Sequence, residues 1–141
     1  MIAAPGVTLH AMTRLLDAAL AAAALIVADI LVRVLPFRAI ARRVERPLRR
    51  ASEDEGATKR VAWAIDAARR RLPWNVRCLA AAVAANRLLA WRGVGSELWL
   101  GVRASGARDV DAHAWVIAAG RCVVGEEERA RYTPMHSLVT R

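Results

Sequence analysis

NVRCLAAAVAANRLLAWRGVGSELWLGV, residues 75–102, holds the change of period on which the fold turns. Asn75 is a good N-cap residue, apolar residues then recur at helical spacing, and Gly93 stands where a C′ glycine belongs. This predicts a helix over 76–92. Beyond it the period drops to two. Glu97–Val102 (ELWLGV) alternates as a strand does, Ala112–Ala118 (AHAWVIA) gives a second strand, and Arg121–Val124 a third. Ala104–Asp111, with Gly106 and two acids, reads as a hairpin loop, and Ala119–Gly120 as a tight turn.

Upstream, the chain reads as helical. Residues 11–35 form one apolar helix ended by Pro36. Its longest uncharged run, Ala18–Ala28, is 11 residues and alanine-rich, whereas a membrane span needs about 20 apolar residues. Asp17, Asp29 and Arg33 interrupt it, and a charge at mid-membrane costs at least ~2.5 kcal/mol. A helix packed on the domain, or lying at a membrane surface, fits better than a span. Residues 37–50 are a basic amphipathic segment, with Phe37, Ile40, Val44 and Leu48 at spacings of three and four and Pro47 near its end. The acidic stretch 51–58 is a loop in which Ser52 and Glu55 resemble a capping box. Residues 59–72 form a further amphipathic helix stopped by Pro73. Helices followed by a small antiparallel sheet make an α+β architecture.

Composition sets outer limits. At 141 residues the chain is one domain, 1–141. The formal net charge is +9 and sits in the first half: residues 38–50 carry six arginines against Glu45, and residues 59–77 carry six cations against Asp66. No recognition-helix, zinc-finger or RNA-binding motif accompanies these arginines, so nucleic acid is not expected as a partner. An anionic membrane or an acidic peptide remains. Two cysteines, Cys78 and Cys122, exclude a disulfide framework and a Cys-rich zinc module. No glycine-rich phosphate loop is present, and no spacing joins His10 and His136 to a metal set, so no cofactor is expected. The N-terminus has no basic n-region and no evident cleavage site; no signal peptide is expected, and the expected compartment is the cytoplasm.

Two residues carry the chemistry. Cys78 falls in the first turn of the predicted helix, where unpaired N–H groups and the helix dipole stabilise a thiolate and can hold an oxyanion. The alternative is a small buried cysteine. His113 opens the second strand between two alanines, with Trp115 on the same face. Cys122, among valines, reads as core. Trp63, Trp74, Trp91 and Trp99 read as packing; Trp74 is also placed to line a substrate groove, and Trp115 to shield the histidine from water.

A helix-start Cys78-Leu79, Leu88-Leu89, Gly93-Val94, the strand Leu98–Val102, His113-Ala114-Trp115-Val116, Gly120-Arg121, the tail Arg131-Tyr132-Thr133-Pro134, and Leu35-Pro36-Phe37-Arg38 occur together here. Over residues 15–136 the chain closely resembles the stand-alone transglutaminase-like leader peptidases of lasso-peptide biosynthesis. The resemblance implies a papain/transglutaminase-like core over 59–136, with 11–50 as an N-terminal helical extension. It implies a cysteine protease that removes the leader from a ribosomal precursor so that a partner cyclase can close the macrolactam ring. A separate leader-recognition protein is implied as well, together with the precursor peptide and the cyclase. Cys78 would be the nucleophile and His113 the base. The family pattern places an acid about twelve residues after the histidine; Gly125 stands there, and Glu126 is the first acid. Glu126 is the expected third member, with Glu127 and Asp111 as alternatives. Two other readings are a non-catalytic shell of the same fold and a membrane-associated scaffold anchored through 11–50, peripheral to the inner membrane face.

Overall fold

The computed structural model describes residues 5–141; residues 1–4, part of the span read as one domain without a basic n-region, lie outside the described residues. Helices α1 (Pro5–Val34), α2 (Phe37–Val44), α3 (Glu55–Arg71) and α4 (Cys78–Trp91) precede strands β1 (Ser96–Ala104), β2 (Val110–Ala118) and β3 (Arg121–Val124). A short helix α5 (Glu126–Arg129) and a last strand β4 (Thr133–Thr140) complete the chain. All neighbouring strands are antiparallel, in the order β3-β2-β1-β4. This is the α+β arrangement the sequence predicts, with one strand more.

α4 is the hub. It packs on β1, β2 and β3 on one side and on α1 and α3 on the other. Ala80, Ala81, Ala84, Ala85 and Leu89 are all at most 1% exposed, so alanine allows close approach from several directions. A Schellman motif ends it as Gly93 predicts: Val94 N donates to Leu89 O at 2.9 Å, Gly93 N to Ala90 O at 3.0 Å, and Gly93 has φ +71°. Its start differs from expectation. The N-cap is Arg77, not Asn75, and the first helical bond runs from Ala81 N to Arg77 O. The core joins Leu25 of α1, Ile65 of α3, Leu89 of α4, Leu98 of β1, Val116 of β2 and Leu138 of β4. Burying a side chain of this size contributes roughly 1.5–3 kcal/mol.

Polar ties fix how the helices sit. Asp17 of α1 is 8% exposed and accepts from Arg60 of α3 (2.8 Å) and from Arg92 after α4 (2.9 Å). Asn86 Nδ2 donates to Ser96 Oγ and Thr140 Oγ1, both at 2.9 Å, and the Thr140 hydroxyl donates to the carbonyl of Val44. One buried amide thus joins α4, β1, β4 and the end of α2.

Other departures have local causes. α3 begins at Glu55, not at residue 59, and its cap is Asp54, whose carboxylate accepts from Ala57 N at 3.1 Å. Ser52 instead exchanges backbone bonds with Gly93 and Gly95. α2 stops at Val44, ahead of Pro47, with Ile40 and Val44 buried. Ala119 (φ +49°) and Gly120 (φ +72°) both take the left-handed conformation that a two-residue I′ hairpin turn demands. The segment Thr8–Val34 is long and apolar enough to cross a membrane by length and composition; here one side of it packs along α3 and α4.

Candidate active site

A cleft of about 850 Å³ opens where α3 and the start of α4 meet the first half of β2, the end of β3 and α5. Cys78, His113, Gly125, Glu126 and Tyr132 all line it. The cysteine arrives as the first residue of α4. Arg77 supplies no side-chain cap, so the amides of the first turn point to the cleft mouth without a side-chain acceptor. His113 arrives from β2, opposite Gly101 of β1, and is 7% exposed.

Two aromatic rings stack with the ring of His113. Trp115, two residues along the strand and 3% exposed, stacks with it at 6.0 Å between centroids. Tyr132 stacks with it at 5.0 Å. Trp115 therefore shields the histidine in the way its spacing suggests. Gly101 makes this packing fit: a Cβ there would lie 2.7 Å from the Trp115 ring and 3.0 Å from Tyr132 Cβ. Arg103 lies over the other part of the cage, 4.9 Å from the Tyr132 ring centroid.

The hydrogen-bond partner of His113 is a backbone carbonyl. Nε2 lies 3.1 Å from Gly125 O. A carbonyl oxygen only accepts, so Nε2 carries the proton and Nδ1 is left as the basic nitrogen. Gly125 reaches this position with φ +87°, and a Cβ on it would fall 2.8 Å from Ala114 O, 2.8 Å from Trp115 Cβ and 3.0 Å from His113 Nε2. Only glycine fits there.

None of the three carboxylates named from the sequence is hydrogen-bonded to His113. Glu126, the expected third member, lines the cleft, but its carboxylate accepts from Arg129 at 3.4 Å and not from His113. Glu127 also lines the cleft. Asp111 pairs with Arg103 at 3.2 Å, across the β1–β2 register. The structure therefore brings Cys78 and His113 to one cleft and sets a peptide oxygen, not the Glu126 carboxylate, against the imidazole.

Cys122, like Cys78, is half-buried, not core; its Sγ donates to Val124 O at 3.3 Å, and burial followed by the Glu126 side chain pushes its thiol up to about 12. Trp63, Trp74 and Trp91 are 39%, 40% and 66% exposed, so none of the three is a core residue, and Trp74 is not among the cleft-lining residues. Gly101, Gly125 and Tyr132 are the contributors that residue chemistry alone does not reveal; Tyr132, the one tyrosine in the chain, is signalled only by its place in the Arg131–Pro134 tail. Among the described residues no cluster of His, Cys, Asp and Glu could hold a metal ion.

Comparison with known proteins accords with this layout. No curated protein and no solved structure matches the chain. A family model described as the transglutaminase-like superfamily matches residues 22–137, a span that includes Cys78, His113 and Tyr132. The chain belongs to the transglutaminase-like superfamily.

Proposed function

We propose that this chain is a cysteine peptidase that removes the leader from a ribosomally made lasso-peptide precursor, before a partner cyclase closes the macrolactam. The observation that carries the hydrolase half is that Cys78, at the start of α4 with no side-chain cap, and His113 line one open cleft. The lasso half rests on the sequence elements around Leu35-Pro36-Phe37 and Arg131–Pro134. A leader-recognition protein and the cyclase are the proposed partners, and the cytoplasm is the proposed compartment.

The chemistry uses this chain's own groups. His113 Nδ1 takes the proton of the Cys78 thiol, and Sγ attacks the scissile carbonyl. First-turn amides of α4 hold the resulting oxyanion. The C–N bond breaks as the imidazolium protonates the leaving amine, leaving a thioester. Water, deprotonated by His113, then hydrolyses the thioester and regenerates the thiol. Gly125 O orients the ring through Nε2, the task a carboxylate performs in the family pattern.

The test is leader removal in a mixture reconstituted with precursor and recognition protein. Cys78→Ala abolishes it if the proposal holds; full leader removal by that variant would overturn it. One observation favours a second reading, a non-catalytic binding shell: the acceptor on His113 is uncharged. That reading predicts precursor binding with no cleavage by the unaltered protein.

A further inference from the structure

We infer that the outer face of α1, with the arginines of α2 and α4 beside it, docks on an anionic lipid bilayer. α1 is inside out for a soluble surface helix. It buries small and acidic residues, Ala18, Ala21, Ala28, Asp17 and Asp29, with Leu25 the one large apolar group. It exposes large ones: Leu15 and Leu16 at 60%, Leu20 at 51%, Val27 at 54% and Ile30 at 55%. Every exposed residue from Leu15 to Ile30 is Leu, Ala, Ile or Val. At 3.6 residues per turn these positions cover an arc of about 140° over roughly 22 Å.

The width of that arc selects the occupant. A partner helix would meet a narrow seam flanked by charged positions that set register. Here no exposed residue of α1 between Leu15 and Ile30 is charged, Asp17 and Asp29 being buried against the domain, which suits a bilayer and leaves a protein partner little to read. The cations sit where headgroups would lie. A groove of about 170 Å³ between α1, α2 and α4 is lined by Leu20, Val27, Ile40, Arg43, Arg87 and Trp91. Among the described residues, Arg42, Arg43, Arg46 and Arg87 have no carboxylate within salt-bridge distance. Arg87 is pushed below its ordinary value by burial and by Arg46 and Arg43 beside it. Clustered like charges without counter-ions are relieved by lipid phosphates, and an exposed Trp91 at the edge of the face fits the interfacial zone. Asp17, gripped by Arg60 and Arg92, holds α1 along the domain, so the helix lies on the surface and does not cross it.

Vesicle co-sedimentation of the full chain tests this. The probes are phosphatidylcholine vesicles with and without one-third phosphatidylglycerol. Binding is expected on the anionic vesicles and at least tenfold weaker on the neutral ones. Leu20→Glu/Val27→Glu should weaken it tenfold or more, and Arg43→Glu/Arg46→Glu should remove the preference for anionic lipid. The Arg substitutions lie on exposed or groove-edge positions, so they keep the test open if the first variant fails to fold. Failure to sediment with either vesicle overturns the inference. So does a dimer in solution that Leu20→Glu/Val27→Glu dissociates, which would assign the face to a second copy. Cys78→Ala should bind vesicles normally, so loss of peptidase function and loss of docking are separable.

Discussion

Gly125→Ala probes the structural feature on which the site depends. Its residue sits at φ +87°, where an L side chain costs about 1–2 kcal/mol. The new Cβ would lie 2.8 Å from Ala114 O and 2.8 Å from Trp115 Cβ, neither of which is the free end of a flexible side chain. Relieving such overlap costs about 1–3 kcal/mol. The peptide must shift, and Gly125 O then leaves His113 Nε2, forfeiting a hydrogen bond worth about 1 kcal/mol. The total is about 3–6 kcal/mol, a large share of the roughly 5–15 kcal/mol that stabilises a domain. Gly120→Ala is the matched control: φ is +72°, yet no atom lies within 4 Å of the added Cβ, so it should cost only the backbone part, about 1–2 kcal/mol. Urea unfolding measures both. The pH profile of Cys78 alkylation then separates a site effect from lost stability, since Gly125→Ala should alter the profile and Gly120→Ala should not. Equal destabilisation by the two variants, with both profiles unchanged, would refute the reasoning.

Further outcomes follow from other contacts. Glu126→Gln should change Cys78 alkylation by less than about threefold, because its carboxylate faces Arg129 and not His113; a loss of a hundredfold would restore Glu126 as the third member. Asp17→Ala should cost about 2–3 kcal/mol in urea unfolding, below the ~3–5 kcal/mol of a fully buried pair because Arg60 is half exposed and can rehydrate. Alkaline stability should fall between the ordinary thiol value of 9.0 and about 12. Cys122 keeps its proton in the fold there while the unfolded chain has lost it, so raising pH favours unfolding. Cys122→Ser should flatten that part of the stability curve.

Local chemistry explains what was legible and what was not. The helix of Cys78 could be placed because Pro73 and Gly93 punctuate it, and the strand of His113 because AHAWVIA alternates. β4 was not expected: it is an edge strand burying only Leu138 and Thr140, so Arg131–Arg141 carries little alternation. The acceptor on His113 escaped spacing arguments because it is a main-chain oxygen, and the direction of a peptide group is set by φ and ψ at Gly125. Counting residues to Glu126 could not show that its side chain turns toward Arg129. The apolar content of α1 was plain, but its period could not say that the alanine side packs inward and the leucine side faces out.

The most direct test of the central claim is the rate of iodoacetamide labelling at Cys78 from about pH 5 to 9, resolved by mass spectrometry from Cys122, in the unaltered protein and in His113→Ala. An activated thiolate–imidazolium pair predicts fast labelling already at about pH 6, lost in His113→Ala, with Cys122 slow throughout. Labelling that rises only near pH 8.5, as for an ordinary thiol, and is indifferent to His113 would contradict it.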